Sequence, residues 1–151
     1  MKETAGVALK AGRSLFVVGM DAAARAAEVS RIVAAMPGGV LIDPNHLVPA
    51  TPDAVHRRPV DHGVLTTFRA VLRMAPGCVV IPEVSEELFD AIFTAVETGT
   101  QIVTSFEAAG PDEGQAWFEA QAADRAGVPV DVVRESLRRR PPLYLVATKD
   151  R

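Results

Sequence analysis

The residues best placed for chemistry follow the first apolar run of the chain, at 14–18. Gly19 comes directly after that run and opens a helical pattern that reads Gly19-Met20-Asp21-Ala22-Ala23-Ala24-Arg25-Ala26. A strand that turns into a helix in this way is the usual place for a loop that binds nucleotide phosphates. Such a loop needs glycines whose backbone N–H groups surround the phosphate, a lysine for the phosphate charge, and a serine or threonine for Mg²⁺.

The stretch lacks most of these groups. Gly19 is the one glycine left, Arg25 stands where the lysine would be, and Ala26 has no hydroxyl to bind Mg²⁺. Asp21 places a negative charge where phosphates would lie. Taken alone, the stretch predicts an ordinary strand–turn–helix connection, with Asp21 as the helix N-cap.

Two other carboxylates and two arginines are candidates for chemistry. Asp43 and Glu83 each follow an apolar run, and a carboxylate at a strand end can hold a metal ion or act as a base. With no partner lysine or serine nearby in the sequence, a structural or vestigial role is favoured for Glu83. Arg69 and Arg73 lie one turn apart on a helical pattern, where they would bind an acidic ligand or pair with an acid such as Glu83 or Glu107; internal pairing is favoured.

The remaining reactive side chains predict no site. The three histidines, His46, His56 and His62, have spacings of ten and six residues that match no metal signature, so no metal is expected. Cys78 begins an apolar run and is predicted to be buried and inert. Trp117 and Phe118 are predicted to pack in the core, with a contact face near Phe106 as the alternative.

Short apolar runs alternate with helical segments along the chain. Strands are predicted at 14–18, 40–42, 78–81, 101–105 and 143–147, and helices at 21–36, 64–74, 85–97, 111–126 and 130–139. Ser85 is the expected N-cap of the third helix, and 43–63, with four prolines, is expected to be a long loop. This alternation predicts one α/β domain over 1–151, with three layers and a mainly parallel sheet of about five or more strands.

Composition and charge exclude several classes of protein. The chain has 151 residues, 24 alanines and 21 valines but 8 aromatics and one cysteine, which favours close helix-on-sheet packing without disulfides in a reducing cytoplasm. No apolar run is long enough to span a bilayer, so no membrane insertion is expected. Ten acids lie in 83–124, and the single basic cluster, 138–140, ends a predicted helix. Nucleic acid is therefore not an expected partner.

The order of the motifs adds a resemblance to a known family. From about residue 11 to 147 the chain resembles the C-terminal RecA-like ATPase domain of the type II/type IV secretion and pilus ATPases, especially the conjugation and tight-adherence pilus branch. Residues 19–26 match its Walker A loop. Residues 41–44 match its acidic box, 68–76 its helix with two arginines, and 79–84 its Walker B strand. Residues 95–99 match the helix end before the histidine box, 102–108 the histidine box, and 127–135 the segment before the last strand.

The departures from the family's pattern carry the functional prediction. Ile42 replaces the acidic-box glutamate that is expected to polarise water, while Asp43 remains. Glu107 stands where the histidine that senses the γ-phosphate would be, and Pro82 replaces the glycine before Glu83. The resemblance therefore implies a P-loop NTPase fold without a functional P-loop, with ATP and Mg²⁺ binding lost or weak and no cofactor expected. The family's N-terminal domain is expected to be absent.

Three functions stay open at this point. The first is a catalytically inactive pseudo-ATPase that works as a binding, regulatory or scaffolding subunit. Its expected partner is an active motor ATPase, a membrane assembly protein or another copy of itself, and its location is cytoplasmic or peripheral to the inner membrane through that partner. The second is a weak or repurposed nucleotide-binding protein, in which Arg25, Arg69 and Arg73 hold phosphate and Glu83 holds a metal ion. The third is a self-assembling structural protein.

Overall fold

The structure, a computed structural model, describes residues 4–148 and contains one sheet of six strands. All five strand pairings in the sheet are parallel, and the strand order is β3-β2-β4-β5-β1-β6. The strands are β1 (Leu15–Gly19), β2 (Gly39–Leu41), β3 (Val55–Arg57), β4 (Cys78–Ile81), β5 (Gln101–Glu107) and β6 (Leu143–Val146). The predicted parallel α/β sheet is confirmed.

Helices cover both faces of the sheet. They are α1 (Ala5–Lys10), α2 (Ala22–Ala34), α3 (Val64–Arg73), α4 (Phe89–Glu97), α5 (Pro111–Ala126) and α6 (Val130–Leu137), with a short 3₁₀ turn, Glu86–Leu88, before α4. Residues of α1 and α2 share a buried cluster with one face of the sheet, and residues of α3 to α6 share a cluster with the other. Every residue of β1 and β4 is buried, which is why both strands are uninterrupted apolar runs.

The face under α5 holds most of the few aromatic rings. Phe16 lies 4.7 Å from Phe118 and 5.4 Å from Tyr144, measured between ring centroids, and 6.0 Å from Phe106. Gly114 lets α5 approach these rings, because a Cβ added there would lie 2.9 Å from Cγ1 of Val18. Small side chains elsewhere let the helices pack closely on the sheet.

The structure corrects three local expectations. The segment 43–63 is not all loop, because its residues 55–57 form β3, whose Val55 is buried against the sheet edge. Four prolines and the three-residue length hid this strand from a search for periodicity. The Ser85 side chain makes no capping hydrogen bond, and α1 precedes the first predicted element.

The other predicted boundaries agree to within a few residues. Asp21 is the N-cap of α2, as predicted, and its side chain accepts a hydrogen bond from the Ala24 N–H at 3.0 Å. Between residues 4 and 148, no helix combines the length and the apolar character that crossing a membrane requires.

The close approach at Gly114 gives a stability test. Gly114→Ala should lower the free energy of unfolding by about 1–2 kcal/mol, because crowding against Val18 outweighs the better helix propensity of alanine. The matched control is Gly6→Ala in α1, where a Cβ meets nothing within 4 Å. Urea denaturation should show that the control is as stable as the parent or slightly more so. Equal effects at both positions would contradict tight packing between α5 and β1.

Candidate functional site

Parallel strands bring their carboxyl ends to one edge of the sheet, where ligands bind in open α/β folds. We call this edge, with the residues that end or follow β1, β2, β4 and β5, the carboxyl edge. Gly19 and Glu107 end β1 and β5 and are directly paired across the sheet. Asp43 and Glu83 follow the ends of β2 and β4. The fold thus gathers the predicted acidic candidates at one edge.

The connection from β1 to α2 is too short to surround a phosphate. Only Met20 and Asp21 separate the two elements. Asp21 Oδ1 already accepts the Ala24 N–H, one of the free donors that a helix N-terminus would offer to an anion. Gly19 has a packing reason to be glycine, since a Cβ there would lie 2.9 Å from the carbonyl oxygen of Ala147, next to β6.

Arg25, in the position of the missing lysine, points back under this turn. Its side chain is 6% exposed. Nη1 donates a hydrogen bond to the Gly19 carbonyl oxygen at 2.7 Å, and Nη2 lies 3.7 Å from Oε1 of Glu83. Its Nε is buried and has no hydrogen-bond partner within the described part of the chain. The guanidinium charge is therefore engaged by the protein itself, and Glu83 is its partner rather than that of Arg69 or Arg73.

The carboxylate of Asp43 is likewise buried and bonded to other groups of the protein. Its side chain is 1% exposed, and its two oxygens accept the N–H groups of Leu47 and Val48 at 2.9 and 2.8 Å. Arg57 Nη1 lies 3.4 Å from Asp43 Oδ2, and Arg57 Nη2 donates to the Val48 carbonyl oxygen at 2.7 Å. The carboxylate closes the turn after β2 and connects it to β3, and both of its oxygens accept hydrogen bonds from the protein.

The two arginines of α3 are not gathered at the carboxyl edge. Arg69 and Arg73 are both exposed, and the salt bridges within residues 4–148 include neither of them. The internal pairing favoured from the sequence is therefore not seen. Arg73 is in the last turn of α3, which leads to the amino end of β4, the opposite end of the sheet from Glu83.

The remaining predicted residues are dispersed. Cys78 is buried as predicted, and burial raises the pKa of its thiol to about 12, which keeps it protonated and unreactive. Phe118 is fully buried, whereas Trp117 is 39% exposed and packs on Phe89 and Phe106. Nε2 of His62 lies 3.4 Å from Oδ1 of Asp61. Among residues 4–148, no three histidine, cysteine or acidic side chains come together as a metal site would require.

Sequence reasoning missed a buried acid on α5. Glu119 is 3% exposed and accepts hydrogen bonds from Arg134 Nε and Gln115 Nε2, both at 3.2 Å. Burial raises the pKa of Tyr144 far above its usual range, and the Glu119 carboxylate raises it further. The available signal was the position of Glu119, next to Phe118 and one turn before Ala122 and Ala123 on the buried stripe of α5.

Comparisons with solved structures find this fold in secretion ATPases. The VirB11 ATPase of the Brucella suis type IV secretion system, solved in complex with sulphate, matches 92% of this chain with a TM-score of 0.77 and 15% sequence identity. The Legionella pneumophila ATPase DotB matches 84% of it with a TM-score of 0.58 and 14% identity. The chain spans 44% and 40% of those two chains, less than half of each. Neither the protein-family models nor the curated proteins give a match.

The comparisons confirm the RecA-like α/β fold and the resemblance to the ATPase domain of these secretion proteins. At this level of identity the likeness concerns the fold. The absence of the family's N-terminal domain and the roles of the individual site residues stay predictions.

A structural role for Asp43 can be measured. Asp43→Ala should lower the free energy of unfolding by about 2–4 kcal/mol, because two backbone donors and Arg57 lose a buried charged acceptor. Asp53→Ala is the matched control, since Asp53 is an exposed acid in the same segment and should change stability by less than about 0.5 kcal/mol. Chemical denaturation monitored by circular dichroism compares the two. An Asp43→Ala protein as stable as the control would show that the carboxylate is free for another role.

Proposed function

We propose that the protein is a pseudo-ATPase, a catalytically inactive relative of secretion and pilus motor ATPases that works as a binding, regulatory or scaffolding subunit. The RecA-like fold supports the relation to such motors. We infer the inactivity from the carboxyl edge, where Arg25 and Asp43 are engaged with the protein itself.

The position of Arg25 carries this proposal. A phosphate-binding cation must reach into the loop above the helix, but Arg25 is buried beneath the turn and bonded to the Gly19 carbonyl oxygen. Extracting it would break that hydrogen bond and the contact with Glu83. A hydrogen bond of a charged group contributes about 1.5–3 kcal/mol, so a nucleotide would have to offset that cost before gaining any affinity.

The groups needed for hydrolysis are also changed. Phosphoryl transfer requires a held phosphate, a metal ion and an oriented water. Ile42 is fully buried where the family has a carboxylate, and the adjacent Asp43 has its oxygens occupied by Leu47 and Val48. Glu107 is exposed at the end of β5 and adds a negative charge that disfavours a γ-phosphate.

A subunit of this kind would act through a protein partner and needs no cofactor. The partners we propose are an active motor ATPase, a membrane assembly protein or a second copy of the chain. Its location would be the cytoplasm, with contact to the inner membrane made only through the partner. The acid-rich stretch between Arg73 and Arg125 disfavours nucleic acid as a partner.

Calorimetry with Mg-ATP, together with a phosphate-release assay, tests the proposal. We expect no binding heat at millimolar nucleotide and phosphate release no faster than in buffer. The double variant Arg25→Lys with Ala26→Thr should stay inactive, because the two-residue turn and the Asp21 cap remain. An active secretion ATPase serves as the positive control. Micromolar binding of Mg-ATP together with measurable ATP hydrolysis by the unmodified chain would contradict the proposal.

A weak or repurposed nucleotide-binding protein is the second candidate. The observation in its favour is that Arg69 and Arg73 are exposed and take part in none of the ion pairs found between residues 4 and 148. Thermal shift with ATP, ADP, GTP and cyclic dinucleotides separates the candidates. The control variant is Arg139→Ala, at another exposed arginine. A nucleotide that raises the melting temperature of the parent and of Arg139→Ala, but not that of Arg69→Ala, would favour nucleotide binding. No shift with any of these nucleotides would remove the candidate.

A further inference from the structure

A basic cavity lies at the amino ends of the strands, the opposite end of the sheet from the carboxyl edge. Its volume is about 560 Å³, and three loops surround it, 11–14, 99–100 and 139–141, which lead into the neighbouring strands β1, β5 and β6. Among residues 4–148, the charged side chains that line it are Arg13, Arg139 and Arg140. We call it the arginine cavity.

Two of these arginines have no partner in the described part of the chain. Arg139 and Arg140 are exposed, and neither side chain makes a hydrogen bond or an ion pair with another of the residues 4–148. Arg138, just before them, has its Nη1 2.9 Å from Oε2 of Glu135. Arg13 Nε donates to the carbonyl oxygen of residue 141 at 3.0 Å and so holds one wall of the cavity. The guanidinium groups of Arg139 and Arg140 are therefore available to a ligand.

The helix ends nearby do not use these donors. Arg139 and Arg140 follow the end of α6, where the helix dipole favours cations, but within the described residues neither donates to a carbonyl oxygen. Arg140 lies against Gly99, since its Nη1 would be 3.3 Å from a Cβ added there. The carbonyl oxygens of residues 94–96, at the end of α4, already accept the N–H groups of residues 98–100. Attraction to a helix dipole thus leaves the guanidinium donors free to bind.

We propose that the arginine cavity binds an acidic segment of a partner protein, whose carboxylates pair with Arg139 and Arg140. A guanidinium group and a carboxylate form two parallel hydrogen bonds, which gives such a pair both strength and direction. The inference rests on the proposed function, because it names the chemistry of the partner through which a binding or regulatory subunit would act.

The arrangement of the two arginines favours several carboxylates over one phosphate group. Arg140 lies in the arginine cavity against Gly99, whereas Arg139 lines both this cavity and a second one of about 480 Å³. A single phosphate group would need both guanidinium groups to converge on it. Carboxylates spaced along a peptide can each meet one arginine, so a peptide segment fits the two positions better.

The second cavity indicates how the partner segment would continue. It is lined by Val132, which is 49% exposed, and by Glu97, Asp131 and Glu135. An apolar side chain of the partner would gain free energy by covering Val132, whereas the three acids disfavour further carboxylates there. The complementary segment therefore carries acidic residues at one end and an apolar residue beside them.

Binding of a short oligoglutamate peptide with a fluorophore, followed by fluorescence anisotropy at low salt, tests the proposal. We expect the parent chain to bind it, and Arg140→Glu should weaken the affinity by roughly fivefold or more, because an attraction becomes a repulsion. The matched control is Arg58→Glu, an exposed arginine that follows β3 at the other end of the sheet. It makes the same change in net charge and should alter the affinity far less, while circular dichroism shows both variants folded. No binding to the parent chain, or equal losses in the two variants, would overturn the proposal.

Chemical modification of arginines locates the contact. Phenylglyoxal reacts with exposed guanidinium groups, and mass spectrometry of the digested protein gives the extent of reaction at each arginine. The oligoglutamate peptide should protect Arg139 and Arg140 but not Arg58, and inorganic phosphate at the same ionic strength should protect them less. Stronger protection by phosphate than by the peptide would instead make the cavity a phosphate site and reject the proposal.

These outcomes are separate from those of the ATPase test. A chain that binds the peptide through Arg139 and Arg140 and also hydrolyses Mg-ATP would contradict the pseudo-ATPase proposal and support this one. A chain that neither hydrolyses Mg-ATP nor binds the peptide would contradict the acidic partner alone.

Discussion

The capping bond between Asp21 and the Ala24 N–H fixes the connection from β1 to α2 at the carboxyl edge. It starts α2 two residues after β1, so no loop exists between strand and helix in which backbone N–H groups could surround a phosphate. The same geometry brings Arg25, one turn into the helix, back under the Gly19 carbonyl oxygen. The short connection and the buried position of Arg25 therefore both follow from where α2 begins.

Desolvation explains why Arg25 and Asp43, the two buried charged groups of this edge, are engaged internally. A charge taken out of water needs partners, since leaving it unpaired costs more than a typical interaction contributes. Asp43 meets this need with two backbone donors and Arg57, and Arg25 meets it with Gly19 and Glu83. In a nucleotide-binding site the ligand would supply such partners. Here the protein supplies partners for both groups, although Arg25 Nε has no hydrogen-bond partner within residues 4–148.

The sheet separates charge between its two ends near β6. Arg138, Arg139 and Arg140 lie just before β6, whereas Asp112 and Glu113 lie in the first turn of α5, which follows β5. This follows from helix capping, which places cations at helix ends and acids at helix starts.

The sequence by itself determined the α/β class, five of the six strands and the Asp21 cap, because each depends on periodicity or on residue types close together in the chain. It did not reveal β3, whose three residues carry too little pattern, or the link from Asp43 to Arg57 across fourteen positions. Nor did it show that Glu83 pairs with Arg25 rather than with Arg69 or Arg73. Only tertiary structure decides such contacts, because a charged side chain pairs with the group that strand order and burial bring within reach, and neighbours in sequence carry no record of that order.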